Sequence, residues 1–247
     1  MVGNMLMRGM LVGLVAALLS FGFAKTFGEP QVDRAIAFEE KMDAAKGEAP
    51  EPVLVSRDVQ SSAGLLTGII GYGVGIGGLF SLVFAYCYGR VGRLSPRMTA
   101  LLLAAAGFFA VIIVPELKYP ANPPSVGNPD TIGYRTELYF FMIAISIAGL
   151  VLAIKLGRGL SARYGNWGAS LLAGVFYIVI MGVVQSLLPA INEVPADFPA
   201  VVLWQFRVAS LGIQLILWGV IGLLFGMLTE RSLEQIPKGL PKQSFNG

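Results

Sequence analysis

The sequence has no histidine and a single cysteine. Histidine is the side chain that titrates nearest neutral pH and the commonest transition-metal ligand, so its absence removes the usual acid–base and zinc chemistry. Cys87 has no partner for an internal disulfide and lies within an apolar run, where a packed thiol is the expected role. Charge is scarce as well: 13% of residues are Asp, Glu, Lys or Arg, against about 25% in soluble domains. No H-E-x-x-H, no G-x-S-x-G and no nucleotide-binding loop occurs. The chain therefore reads as no enzyme and no cofactor carrier, with no nucleic-acid partner. Any ATP would have to come from another chain.

What the chain has is length of apolar run. Met5–Phe27, Leu65–Tyr88, Met98–Pro115, Thr136–Leu156, Trp167–Leu188 and Phe206–Leu228 are each long enough to cross a bilayer, since about 20 apolar residues span the ~30 Å hydrocarbon core. Backbone groups in lipid must bond within their own segment, which makes such runs helices. The expected fold is all-α, a polytopic membrane helix bundle with six predicted transmembrane helices in one integral membrane domain, residues 1–247. Gly22-Phe23-Ala24 weakly resembles a cleavage site, but the run before it is long for a signal peptide and five more follow, so a retained first span is expected.

The net charge of +3 conceals an asymmetry. Arg8, Arg90, Arg93, Arg97, Lys155, Arg158, Arg163, Arg231, Lys238 and Lys242 face only Glu230 and Glu234, giving that side +8, while the other side holds −5. Short basic loops stay cytoplasmic. Both termini are thus expected inside, with the segments near 28–62, 116–135 and 189–205 outside. An acidic outer face suits a surface that gathers cations, and the same asymmetry follows from the positive-inside rule alone.

The order of elements suggests three hairpin-like pseudo-repeats. Each outer loop opens with a glutamate near a proline (Glu29-Pro30, Pro115-Glu116, Glu193-Val194-Pro195), and each following span starts near an arginine (Arg57, Arg135, Arg207). Carriers are often built from such weak repeats, although convergent loop chemistry would look similar. In the long first outer loop, 28–62, Gln31–Lys46 has helical composition, with Glu39 and Asp43 at i,i+4. A flexible break is expected at Lys46–Pro52 and a flexible cytoplasmic tail at 236–247. Asp130 or Thr131 is placed to cap the fourth span.

Two motifs mislead. Gly73-Val74-Gly75-Ile76-Gly77-Gly78 matches a dinucleotide fingerprint but lacks a preceding strand. Gly71-Tyr72-Gly73 resembles a potassium filter but sits in an unbroken apolar run. The pairs Gly71/Gly75 and Gly73/Gly77 are G-x-x-x-G spacings suited to close helix packing.

Polar residues gather at the outer ends of the spans. Arg207, Ser210 and Gln214 share one helix face by spacing, and Arg135 and Glu137 precede the fourth span. Ionisable groups near a membrane face the bundle interior and pair. One reading is bracing or pathway residues: Glu29, Arg57, Arg135, Glu137, Arg207, Ser210 and Gln214. The other is an oxygen-lined vestibule for a divalent cation, with Glu116, Asn122, Asp130, Asn192, Glu193 and Asp197 as metal ligands.

The segments FGEPQVDRAIAFEE (27–40), SRDVQ (56–60), KYPANPPSVGNPDTIGYRTELY (118–139) and NEVPADFPAVVLWQFRVASLGIQ (192–214) resemble the CbtA family of predicted cobalt transporter subunits, in order through nearly the whole chain. The resemblance implies a bacterial inner-membrane protein of cobalt uptake for cobalamin synthesis. It also implies a small single-span, histidine-rich partner subunit. Relatives often carry histidines in the first outer loop, whereas Lys41–Glu51 here has none, and Glu39, Glu40, Asp43, Glu48 and Glu51 occupy that region. The leading expectation is a membrane permease subunit for divalent cobalt, Co²⁺ being cargo, with an acidic outer mouth. The alternative is a non-transporting scaffold or assembly subunit of a larger membrane complex. An intramembrane enzyme lacks any acid–base constellation.

Overall fold

The protein is seen here in a computed structural model that describes residues 2–47, 54–90, 92 and 94–234. The expected tail at 236–247, most of the break at 46–52 with Glu48 and Glu51, and the basic residues Arg93, Lys238 and Lys242 lie outside the described residues.

Five helical stretches are long and apolar enough to cross a membrane: Val2–Lys46, Arg57–Cys87, Pro96–Lys118, Pro129–Leu187 and Ala200–Glu234. Among the described residues there is no strand. Many large apolar side chains face outward, among them Leu79, Tyr86, Phe140, Ile178, Val179 and Leu223, as suits a protein whose solvent is lipid.

The first stretch joins α1 (Val2–Phe23) and α2 (Glu29–Lys46) through a wide π-type turn at Ala24–Gly28. The helix expected at Gln31–Lys46 is therefore continuous with the first span. The same device recurs where α5 (Pro96–Gly107) passes through a π-type turn, Phe108–Ile113, into α6 (Val114–Lys118). In both cases a proline follows at the second residue, Pro30 and Pro115. A proline inside a helix removes a donor and crowds the preceding turn, and a widened turn just before it makes room. Gly47 ends α2 with φ 73°, a conformation easy for glycine alone. The short α3 (Arg57–Val59) leads through a third such turn, Gln60–Gly64, into α4 (Leu65–Cys87). Ser95 starts α5 by accepting from the Met98 N–H at 3.2 Å, followed by Pro96 at the favoured first helical position.

The helix α7 runs from Ile132 to Leu187, 56 residues. At 1.5 Å per residue it would stretch about 84 Å if straight. It is not straight: Gly165 has φ 68° and ψ 169°. Ser146 meets Tyr177 at 2.7 Å. A Cβ at Gly149 would touch Met181 and Tyr177, and one at Gly157 would touch Ala173. As one arm is followed forward its partners fall back in number, which makes the two arms antiparallel. The last helix, α8, is Ala200–Glu234.

The chain divides into two compact units, described separately. One comprises Met1–Leu19, Leu66–Ala105 and Ile216–Gly247. Its core stacks Phe80 and Phe84 edge-on against Phe225, centroids 5.4 and 5.0 Å away. Gly9 and Gly13 lie directly on Gly73 and Gly77, so close that any added Cβ would strike backbone. By contrast a Cβ at Gly71 or Gly75 meets nothing within 4 Å. Of the two G-x-x-x-G spacings, only Gly73/Gly77 mediates a close approach; Gly71/Gly75 lies on the open face of the same helix. Arg8 donates to the buried Thr229 at 3.1 Å and Arg97 pairs with Glu230 at 3.0 Å.

The other unit comprises Ser20–Leu65 and Ala106–Leu215. The hairpin of α7 packs around Met142, Ala153, Tyr177 and Met181, with Val114 from α6. A second cluster, Ala35, Val126, Phe198 and Val202, fastens the proline-rich loop 119–131 between α2 and the start of α8. Phe38 meets Phe198 edge-on at 5.0 Å, and Ser125 donates to the Ala35 carbonyl at 2.8 Å.

Candidate functional site

Within this second unit lies a cavity of about 710 Å³. Four segments wall it: 116–126 at the end of α6 and in the following loop, 132–139 at the start of α7, 191–194, and Arg207, Ser210 and Gln214 of α8. The loop 119–131 holds its shape through Pro120, Pro123, Pro124 and Pro129, which fix φ. Tyr119 ties it to the segment just after α7 by donating to the Pro189 carbonyl at 3.0 Å. Burial pushes the Tyr119 phenol up, and Tyr134 adds to the shift by charge repulsion, so the hydroxyl remains a donor.

Glu193 is fully engaged. One carboxylate oxygen accepts from the Asn128 N–H at 2.7 Å, and both accept from the Thr131 hydroxyl at 2.7 and 2.9 Å. Arg135 completes the pair at 3.4 Å. The backbone donor of Asn128, then the Thr131 hydroxyl and then Arg135 hold the Glu193 carboxyl below the usual carboxylate range. Arg135 itself lies against Gly127, φ 125°, where a Cβ would collide with the guanidinium. Glu193 is thus a clamp between the loops 119–131 and 188–199, built from donors that a sequence pattern does not reveal.

Glu116 differs. It lines the cavity, is half-buried, and forms no ion pair or hydrogen bond with the described residues. Arg207 is held by neutral acceptors, its Nε donating to the Ala121 carbonyl at 3.2 Å and its Nη2 to Asn122 Oδ1 at 2.8 Å. Two carboxylates and two guanidiniums line the cavity, so its formal charges cancel.

The structure gathers Glu116, Asn122, Asn192, Glu193, Arg135, Arg207, Ser210 and Gln214 on one wall system. The shared face expected for Arg207, Ser210 and Gln214 is the face they present to it. Asp130 and Asp197 are exposed and stand outside the lining: Asp130 is the middle residue of the short 3₁₀ turn Pro129–Thr131, and Asp197 lies on the solvent side of the turn before α8. Glu137 is exposed too. Glu29 is nearly buried and bonded by Arg57, which also reaches Asp33 at 2.9 Å. That group braces α2 against α3, away from the lining. Capping before α7 is not by Asp130 or Thr131: Asn128 Oδ1 accepts the Asp130 N–H at 3.0 Å, and the Thr131 hydroxyl is taken by Glu193. Among the described residues no three His, Cys, Asp or Glu come together as a metal-binding group. The sequence pointed to Thr131 only as a cap and gave no role to Thr136, Tyr139 or Gly127; the Asn128-Pro129 turn signal was the available pointer to the clamp.

Fold and cavity together define a polytopic helical membrane protein with a polar, charge-balanced recess. The model of the family described as Probable cobalt transporter subunit (CbtA) matches residues 2–230. The chain belongs to that family, and as a subunit it works with at least one other chain. No curated protein and no solved structure matches it.

Proposed function

We propose that this chain is a permease subunit for divalent cobalt, and that the cation is received in the cavity between α6, α7 and α8. Glu116 carries the reading. It is the lining carboxylate without a protein counter-charge among the described residues, and the amide oxygens of Asn122 and Asn192 and the polar groups of Ser210 and Gln214 share the cavity with it. Oxygen ligands, few in number, suit a cation that must also leave. Glu193 serves as the clamp that shapes the mouth. In this reading the arms of α7 cross separately, which makes six crossings in three hairpins. The mouth faces outward across a bacterial inner membrane, with both termini cytoplasmic, as the basic loops favour. A small single-span, histidine-rich subunit would supply the imidazoles this chain lacks.

The test is uptake of labelled Co²⁺ by vesicles containing the protein. Glu116→Gln should lower uptake at least roughly tenfold without loss of protein from the membrane, since one carboxylate contact to a cation is a charge-assisted interaction. Asp130→Asn and Asp197→Asn should leave it unchanged. Normal uptake by Glu116→Gln removes the site and favours the scaffold role.

A further inference from the structure

The cavity is oversized and wrongly charged for a bare ion. A cation with about six waters, each taking roughly 30 Å³ of liquid volume, needs near 180 Å³, whereas the recess offers about 710 Å³. That is the range of pockets that receive small organic molecules, about 300–1,000 Å³. Its charges also point in two directions. Arg135 is matched by Glu193, which leaves Glu116 and Arg207 as the unmatched pair. Arg207 is fixed by two neutral oxygens through Nε and Nη2, and its Nη1 has no partner among the described residues. A guanidinium pre-positioned in this way, facing a cavity, is built to take a carboxylate. A naked divalent cation would be attracted by Glu116 and repelled by Arg207, which line the same cavity.

Resting on the cobalt reading above, we infer that the cavity binds the cation as a complex with a small carboxylate ligand: Arg207 holds the ligand's carboxylate and Glu116 faces the metal. Carboxylate-bearing chelators suit such metals, and the complex presents both signs of charge at once, as the lining does. Ser210 and Gln214, one and two turns along from Arg207, supply further donors to the ligand.

Equilibrium binding to the purified full-length protein, with citrate as probe, tests this. Wild type should retain [¹⁴C]citrate when Co²⁺ is present and release it when Co²⁺ is omitted. Arg207→Gln should lose at least tenfold in citrate retention while still binding ⁵⁷Co²⁺ supplied in an ethylenediamine buffer, whose complex has no carboxylate. Arg207→Lys, which keeps the charge, should recover part of the citrate retention and guards against a folding defect. Bound ⁵⁷Co²⁺ with no citrate in wild type, or citrate retention unaffected by Arg207→Gln, overturns the proposal and leaves the permease reading standing. Absence of Co²⁺ binding in every buffer overturns both.

Discussion

Gly75→Ala and Gly77→Ala are the same chemical change two residues apart on α4, and they should shift stability in opposite directions. At Gly75 a new Cβ meets nothing within 4 Å. There alanine gains helix propensity of at most ~1 kcal/mol. At Gly77 the Cβ would collide with the Gly9 carbonyl and lie 2.9 Å from the Gly13 Cα. Carbon contacts settle at about 3.5–4.0 Å, so the two helices must part by roughly 1 Å, a gap that forfeits a quarter to a half of each dispersion contact along the crossing. Overpacking of this kind costs about 1–3 kcal/mol. Because both sites gain the same helix propensity, that term cancels, and the two variants should differ by the overpacking cost, about 1–3 kcal/mol. Unfolding in detergent mixtures of rising SDS fraction, followed by circular dichroism, reads the difference. Equal midpoints, or a larger loss for Gly75→Ala, would refute the assignment of the close face to Gly73 and Gly77.

Three other outcomes are expected. Gly165→Ala should destabilise the α7 hairpin by about 1–3 kcal/mol, because φ 68°, ψ 169° is essentially reserved for glycine; an unchanged unfolding midpoint would contradict a reversal at that residue. Tyr177→Phe and Ser146→Ala each remove one partner of a buried 2.7 Å hydrogen bond, at about 0.6–1.7 kcal/mol, and the double variant should cost less than both together. The Glu193 clamp has a pH signature: a carboxyl whose folded pKa is depressed contributes fully above its unfolded value and is lost only as pH falls through the folded one. Hydrogen exchange in the loop 119–131 should then stay slow as pH drops past the ordinary carboxylate value of 4.5, rising only in stronger acid. Early loosening, at the ordinary value, would show the carboxylate is not held by Asn128, Thr131 and Arg135.

The membrane helices were legible because lipid demands long unbroken apolar runs: the ends of Leu65–Cys87 fall within a residue of expectation, whereas the two runs expected at Thr136–Leu156 and Trp167–Leu188 lie in the one long helix Ile132–Leu187, broken at Gly165. The continuity of α1 with α2 was hidden by Pro30, which reads as a breaker unless a widened turn precedes it. For the site, helical spacing alone placed Arg207, Ser210 and Gln214 together, since three and four residues make one face. The partners of the carboxylates were not legible. Glu193 is satisfied by a backbone N–H and by residues about 60 positions earlier, and no local pattern encodes which loop folds over which. Charge alone made Asp130 and Asp197 resemble Glu116, and the difference lies in where the turns aim them.

Cancellation among the lining charges has an energetic corollary. With Glu116, Glu193, Arg135 and Arg207 summing to zero, the electrical work of a transport cycle is set by whatever is carried. A naked doubly charged ion falling through 100 mV, negative inside, releases about 4.6 kcal/mol, enough for an accumulation ratio of roughly two thousandfold without nucleotide hydrolysis. A complex neutralised by two carboxylates moves no net charge and draws nothing from the voltage. The electrical signature of uptake, current or silence, therefore reports the chemical form of the passenger.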